Sequence, residues 1–369
     1  MTRKQTRKIL IFHVGRLGDT LVAVPSLHVI RNNFKGTHLT LLCESVSENN
    51  TVCASNILKH STLVDDFLLF PQTTSKLLTP LRLVSMFFLL LRLLVCQFDT
   101  LIYLAPTRRN RQAVKRDIRF FRLAGISNFI GTDGFDPLPE KIPGSKSPVV
   151  SHEGRQLLTR LSKSGLEVPS DKNANLSINV NHEDRYVLDQ WLSKQEPDSG
   201  RKWIAVGIGA KMPLKSWPQS RYGQVLSKLI EEFDIWPVFF GGPDDQEACH
   251  YLASQLTRGY VMAGYLDIRQ SIAAMERCVF YLGNDTGTMH MAVSAGLMCV
   301  AIFSSRDYPG KWYPWGEGHH VLRTSIECEN CMLSDCVERK KQCIMSITVD
   351  RVYNACAEYL KSTASIKQC

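Results

Sequence analysis

Val279-Phe280-Tyr281-Leu282 followed by Gly283-Asn284-Asp285-Thr286-Gly287-Thr288-Met289-His290 is the stretch that decides the fold. A short apolar run stops at a glycine and a cluster of small polar residues, and a helix follows. That is the strand–loop–helix step of a parallel sheet covered by helices. The step recurs on both sides. Trp203 to Ile208 reads as a strand, Arg221 to Phe233 as an amphipathic helix, and Trp236 to Phe240 as a strand closed by Gly241-Gly242. Asp244 to Leu256 and Ile268 to Arg277 have helical spacing, and Val261 to Ala263 and Cys299 to Phe303 are short apolar strands.

The first half of the chain alternates in the same way. Lys8 to Val14 is a strand, Gly15-Arg16-Leu17-Gly18-Asp19 a loop, and Val24, Leu27, Ile30 and Phe34 recur at helical spacing. Pro25 marks the first turns of that helix or a kink. His38 to Cys43, Phe67 to Phe70 and Thr100 to Leu104 are further strands, and Lys76 to Gln97 is a mostly apolar helix. Polar, Asn-rich sequence from Asp171 to Asn181 separates the halves. The expected division is 1–178, 179–350, and a C-terminal helix and tail over 351–369. Ligands of open parallel sheets bind at the carboxyl ends of the strands, so the loops there carry the chemistry.

Composition sets outer limits. A chain of 369 residues with 44% hydrophobic and 21% charged residues has material for about two globular cores. The net charge of +9 favours an anionic partner. Leu83 to Leu91, bracketed by Arg82 and Arg92, is the longest apolar run and too short to span a bilayer. The basic start before Ile9 to Val14 lacks the apolar core of a signal peptide. These features place the protein in the cytoplasm, where most of its 12 cysteines would be free thiols.

Three loops hold chemistry-bearing residues. Asp19 either caps the following helix or faces the ligand as a general base. Lys211 and Lys215 follow a strand, where a lysine can hold a diphosphate as a point charge, or simply face solvent. The helix start at Thr286 offers unpaired N–H groups to phosphate, Gly287 permits close approach, and Thr286 and His290 share one helix face. Asp285 would repel phosphate directly. It caps the helix, orients Lys215 or His290, or binds sugar hydroxyls. No Gly-x-Gly-x-x-Gly fingerprint is present in the first loop, which argues against a dinucleotide oxidoreductase.

Taken in order, Ile9 to Asp19, Gly207-Ile208-Gly209-Ala210 with Lys215-Ser216-Trp217-Pro218, Phe239-Phe240-Gly241-Gly242-Pro243 and Asn284 to Ala292 resemble glycosyltransferase family 9, the bacterial heptosyltransferases. The resemblance runs from residue 8 to about residue 360. It implies an α/β chain of the GT-B class, two Rossmann-like domains whose parallel sheets face a central cleft. It implies inverting transfer of a heptose from an ADP-sugar to an acceptor such as lipopolysaccharide core. Asp19 then matches the base, and Lys215, Asp285, Thr286, Gly287 and His290 match the donor-phosphate site. Gly18, Gly241, Gly242 and Asp245 fall near the nucleotide. No Asp-x-Asp triplet occurs, in keeping with transfer that needs no metal cofactor. A sugar-nucleotide epimerase of similar architecture and a non-catalytic metal-binding protein are the rival readings.

Two further features stand apart from the loops. Arg108, Arg109, Arg111, Lys115, Arg116, Arg119 and Arg122 crowd one segment opposed by Asp117. They form a solvated helix face or a groove for an anionic glycan or glycolipid, with Arg108, Arg109, Arg111 and Arg116 as the acceptor candidates. Only Phe120 and Phe121 interleave, so nucleic acid is not the expected partner. The neighbouring apolar segment belongs to the core or rests peripherally on the inner membrane. Cys328, Cys331, Cys336 and Cys343 offer a structural zinc or iron site, or four thiols packing a loop.

Overall fold

A computed structural model describes residues 8–44, 52–70, 79–142, 145–198 and 200–365. The chain divides into two compact units, Met1–Leu138 with Glu153–Asn179, and Pro139–His152 with Val180–Cys369.

The first unit runs β1 (Lys8–Phe12), α1 (Leu17–Asn33), β2 (His38–Glu44), α2 (Ala54–Leu58), β3 (Asp66–Phe70), α3 (Thr79–Cys96), β4 (Thr100–Tyr103), α4 (Arg111–Leu123), β5 (Asn128–Ile130) and α5 (Glu153–Lys163). Residues 76–78, expected to open α3, lie outside the described residues. All pairings are parallel, in the order β3-β2-β1-β4-β5. Ile9, Leu10 and Ile11 of β1 are fully buried because the central strand is covered on both faces. Leu10, Phe12, Leu42, Leu101, Tyr103 and Phe121 belong to one core cluster. Asn110 starts α4 by accepting the Ala113 N–H at 2.8 Å, a side-chain N-cap.

The second unit contains α6 (His182–Leu192), β6 (Trp203–Gly207), α7 (Gln219–Phe233), β7 (Trp236–Phe239), α8 (Gln246–Leu256), β8 (Tyr260–Val261), α9 (Ile268–Met275), β9 (Cys278–Asn284), α10 (Gly287–Ser294), β10 (Cys299–Phe303), β11 (His320–Arg323), α11 (Gln342–Met345) and α12 (Val349–Ser365). Its sheet is also parallel, in the order β11-β10-β9-β6-β7-β8. The core is built on Ile204, Val206, Leu282, Val300 and Ile302, with Trp217 sealed beneath the loop after β6. Segment 139–152 is tied to this unit by backbone and side-chain hydrogen bonds. The Val150 N–H donates to the Pro309 carbonyl at 2.9 Å, and the Lys141 ammonium to the Glu329 carbonyl at 3.2 Å.

Both sheets begin in the middle and wind outward twice. The chain leaves β1 for β2 and β3, then returns to the other flank with β4; it leaves β6 for β7 and β8, then returns with β9. The order reverses between β1 and β4, and again between β6 and β9. At such a reversal the two following helices diverge and leave a crevice at the strands' carboxyl ends. The loop Gly15 to Asp19 and the loops holding Lys215 and Asp285 lie at these two points. Among the described residues, no helix is long and apolar enough to cross a membrane.

Candidate active site

In the second unit, Asn284 joins the two loops that flank the reversal. It is fully buried at the end of β9. Its side-chain amide donates to the Ile208 carbonyl at 2.8 Å, and its Oδ1 accepts the Trp217 N–H at 3.1 Å. The Trp217 indole N–H donates in turn to the Ile347 carbonyl at 3.0 Å. A buried amide satisfied on both ends is costly to displace, so the loops are held in one register.

Lys215 and Asp285 meet across that junction. The Lys215 ammonium lies 2.6 Å from Asp285 Oδ2, with the two side chains 15% and 5% exposed. Asp285 is therefore the partner of the lysine and does not cap the helix. The N-cap residue of α10 is Thr286, in extended conformation (φ −144°, ψ 175°) and with no side-chain capping bond. The first N–H groups of α10 are left for a ligand, and the helix dipole adds partial positive charge there.

His290 lies one turn into α10 and is buried. Burial, reinforced by the charges of His152 and Lys215, pushes its pKa down to about 3. The ring is neutral at physiological pH and can serve only as a hydrogen-bonding group. His152, brought in by segment 139–152, packs edge-on against Trp315 at 4.9 Å and reaches the Tyr313 carbonyl at 3.0 Å. Nothing in the sequence pattern marks His152, because its neighbours lie more than 130 residues away.

Asp245 belongs to the same unit. It is half-buried, and its Oδ2 accepts the Gly242 N–H at 2.9 Å. Burial raises its pKa, the Gly242 N–H opposes that, Asp244 adds to the rise and Lys211 opposes it. The carboxyl group lies against the backbone of two loops. A Cβ placed on Gly209 would fall 2.0 Å from Asp245 Oδ1, and one on Gly241 would fall 2.5 Å from Oδ2. Both glycines are required by this one side chain, whereas Gly242 has open space around it.

In the first unit, Asp19 sits in the first turn of α1 and its Oδ2 accepts the Arg16 N–H at 2.9 Å. It thus stabilises the helix start while its Oδ1 makes no bond among the described residues. A Cβ on Gly15 would come 2.3 Å from the Asp19 Cβ, so the turn closes only with glycine there. His13, at the end of β1, is a second group that the sequence pattern does not single out. It is buried, with Nδ1 3.3 Å from the Leu104 carbonyl and Nε2 3.1 Å from Thr20 Oγ1. A carbonyl only accepts, so the neutral ring carries its proton on Nδ1 and Nε2 accepts from the threonine. Burial lowers its pKa, and the nearby Asp19 charge and the Leu104 carbonyl oppose that.

The arginine segment is partly neutralised. Arg109 and Arg116 both pair with Asp117, at 2.8 Å (Arg109 Nε) and 3.2 Å, and the Tyr103 hydroxyl donates to the same carboxylate at 2.6 Å. Arg111 pairs with Asp136. Arg108 is exposed. Arg109, Arg116, Asp117 and Glu44 form the polar side of a cavity of about 620 Å³ whose apolar walls include Phe12, Leu42 and Phe70.

The cysteines correct an expectation. Cys328, Cys331, Cys336 and Cys343 do line one small cavity, with Leu214 and Arg339. Yet among the described residues no group of three or more His, Cys, Asp or Glu side chains is arranged to hold a metal ion. The structural zinc or iron site therefore finds no support. Cys331 and Cys336 pack on the core and Cys343 is buried in it, where burial raises its pKa. They behave as small hydrophobes.

A sequence profile of glycosyltransferase family 9 (heptosyltransferase) matches residues 142–342, more than half of the chain. The chain belongs to this family. Among family members, lipopolysaccharide heptosyltransferase 2 of Escherichia coli is 27% identical over 178 residues, which is 46% of this chain and 49% of the relative. The chain spans about half the length of the curated relatives it matches. Two solved structures match throughout. A family 9 glycosyl transferase from Veillonella parvula superposes with a TM-score of 0.71 at 20% identity, covering 98% of this chain and 99% of the other. The E. coli ADP-heptose lipopolysaccharide heptosyltransferase II follows at 0.68 and 16%, covering 97% and 99%. At these identities the likeness shows the fold, and that fold is the family's.

Proposed function

We propose that this chain is an inverting glycosyltransferase that moves a heptose, or a related sugar, from an ADP-sugar to a hydroxyl of an anionic surface glycan such as lipopolysaccharide core. The observation that carries this reading is the Lys215–Asp285 pair placed beside the uncapped start of α10. A diphosphate seated there meets one ammonium and several backbone N–H groups. The names of the E. coli relatives supply the donor and the acceptor class.

In this mechanism the acceptor oxygen attacks the anomeric carbon of the donor. The bond from that carbon to the diphosphate oxygen breaks, and its electron pair leaves with ADP. Lys215 and the N-terminus of α10 stabilise the negative charge that develops on the departing diphosphate. Asp285 fixes the ammonium in place. His290, held neutral, contributes a hydrogen bond. Asp19 takes the proton of the acceptor hydroxyl, with Oδ2 anchored on the Arg16 N–H and Oδ1 available. Gly241, Gly242 and Asp245 bound the nucleoside.

On the acceptor side, the cavity walled by Phe12, Leu42 and Phe70, where Asp117 and Glu44 balance Arg109 and Arg116, suits the apolar part of a glycolipid. Such a substrate lies in a membrane, which brings a cytoplasmic enzyme to the inner surface of that membrane. No metal cofactor enters the scheme. The test is ADP release from ADP-heptose with and without a lipopolysaccharide-core acceptor. Release that depends on the acceptor supports transfer; loss of donor without acceptor, with an isomeric sugar nucleotide as product, overturns it.

A further inference from the structure

Helix α3 leaves a continuous apolar row facing water. Leu83, Phe87, Leu91 and Leu94 follow one another at helical spacing, and Val84, Phe88 and Val95 widen the row. Phe87 and Phe88 are 56% and 63% exposed, Leu83 is 67% and Val95 82%. Its other side, with Leu89 and Leu93, is buried in the unit's core. Thus α3 is not a core helix with a few stray leucines. It is apolar on two sides, one of them unpartnered, and a contiguous exposed patch of this kind marks an interaction surface.

The adjacent helix tells what covers it. On α4, Arg111, Lys115, Arg119 and Arg122 recur at intervals of three or four and are exposed, so they form one stripe. Lys115 and Arg119 make no ion pair among the described residues, unlike Arg109 and Arg116 of the same segment. The next residue along, Leu123, is 71% exposed. A second protein would need acidic side chains to match the stripe and an apolar groove to match the row. An anionic bilayer supplies both without a specific shape. Aromatic and leucine side chains enter the boundary between headgroups and acyl chains, and basic side chains rest against the phosphates.

We infer that the exposed faces of α3 and α4 together form a docking surface for an anionic lipid bilayer, with α3 lying in the plane of the interface. The surface goes beyond the transferase reading and does not depend on its donor or reaction. Because Leu89 and Leu93 hold the other side of α3 in the unit's core, the helix stays on the fold and attachment is peripheral and reversible. It weakens with salt, since exposed charges are screened over a Debye length of about 8–10 Å.

The test is flotation of the full chain with vesicles of phosphatidylcholine and phosphatidylglycerol, and with phosphatidylcholine alone, at low and high salt. The protein should float with the anionic vesicles at low salt and largely dissociate at high salt. Replacing Lys115 and Arg119 by Gln removes two basic contacts of about 1 kcal/mol each and should weaken binding roughly 30-fold. Phe87→Ser with Phe88→Ser should weaken it at least about tenfold. Circular dichroism and ADP release with a delipidated acceptor should be unchanged in both variants, because none of these side chains lies in the donor or acceptor machinery. The inference falls if the wild type ignores anionic vesicles. It also falls if the variants float as well as the wild type, or if light scattering shows a dimer that Phe87→Ser with Phe88→Ser splits into monomers, since a second copy then covers the row. Failure of ADP release with flotation intact would count against the transferase reading alone.

Discussion

Lys215 and Asp285 form a 2.6 Å ion pair in which both side chains are largely buried, and each comes from a loop on a different side of the sheet reversal between β6 and β9. A buried pair is balanced only while both members are present. Removing the carboxylate leaves an ammonium without its partner, and removing the ammonium leaves a buried carboxylate where the proposed diphosphate would sit. Lys215→Ala should therefore weaken ADP binding by about tenfold to a hundredfold, the worth of a hydrogen bond to a charged group. Turnover should fall by about 10²–10³, because the lost interaction grows as the diphosphate leaves. Isothermal titration with ADP, set beside initial rates of ADP release, separates the two effects. Equal affinity in wild type and variant would remove Lys215 from the donor site.

Asp19 has two roles that substitutions can separate. As a capping group it accepts the Arg16 N–H through Oδ2, and as the proposed base it would take a proton. Asparagine keeps an acceptor oxygen but cannot take a proton. Asp19→Asn should leave thermal stability near the wild-type value and lower turnover by about 10²–10⁴. Asp19→Ala should show the same catalytic loss together with about 1 kcal/mol of lost stability. ADP affinity should be unchanged in both. If Asp19→Asn retains wild-type turnover, another group is the base.

Much of this arrangement is legible in the sequence, and the reasons are local. The strands Trp203 to Ile208 and Cys299 to Phe303 announce themselves because central parallel strands are buried on both faces and read as unbroken apolar runs. α6 is harder to see, since only Asp184 and Leu188 of its eleven residues are buried and no apolar stripe forms. α5 conceals itself differently: Glu153 and Arg160, which read as surface residues, are buried. The site shows the same divide. Asp19 at the start of α1, and Lys215 and Asp285 in their loops, stand among glycines and small residues that draw the eye. His13 and His152 do not, because their environments come from Leu104 and Tyr313, 91 and 161 residues away. The cysteine spacing leaves two readings open, and the metal reading finds no support, since among the described residues no group of three or more such side chains is arranged to hold an ion.

The low pKa of His290 has a consequence for stability, with a definite sign. The folded protein holds this ring neutral down to about pH 3, while the unfolded chain protonates it near 6.5. Below 6.5 the unfolded state binds the extra proton, so acid favours unfolding. The contribution is fully present above pH 6.5 and is lost as pH falls from there towards 3, with a slope of at most about 1.4 kcal/mol per pH unit. Urea denaturation at pH 7 and pH 5 should show the wild type losing more stability than His290→Asn over that interval, since asparagine does not titrate. The difference between the two proteins isolates this ring from the carboxylates. Parallel losses in both proteins would mean that His290 is protonated in the folded state as readily as in the unfolded one.

The contact between Gly209 and Asp245 can be read out by a pair of substitutions. A methyl group on Gly209 meets Asp245 Oδ1 at 2.0 Å, closer than any non-bonded contact permits, and the carboxyl is already pinned on the far side by Gly241. The side chain must rotate out or the loop must move. Gly209→Ala should cost about 1–3 kcal/mol, in the range of overpacked sites. Asp245→Ala removes the carboxyl and with it the hydrogen bond from the Gly242 N–H, so it carries a smaller cost of its own, about 1 kcal/mol. Combined, the two changes should cost clearly less than their sum, because the second deletes the atoms that clash with the first. A double-mutant cycle by chemical denaturation measures that coupling. Additive costs would show that the carboxyl does not occupy the space beside Gly209, and Asp245 would lose its place against the loop that carries Lys215.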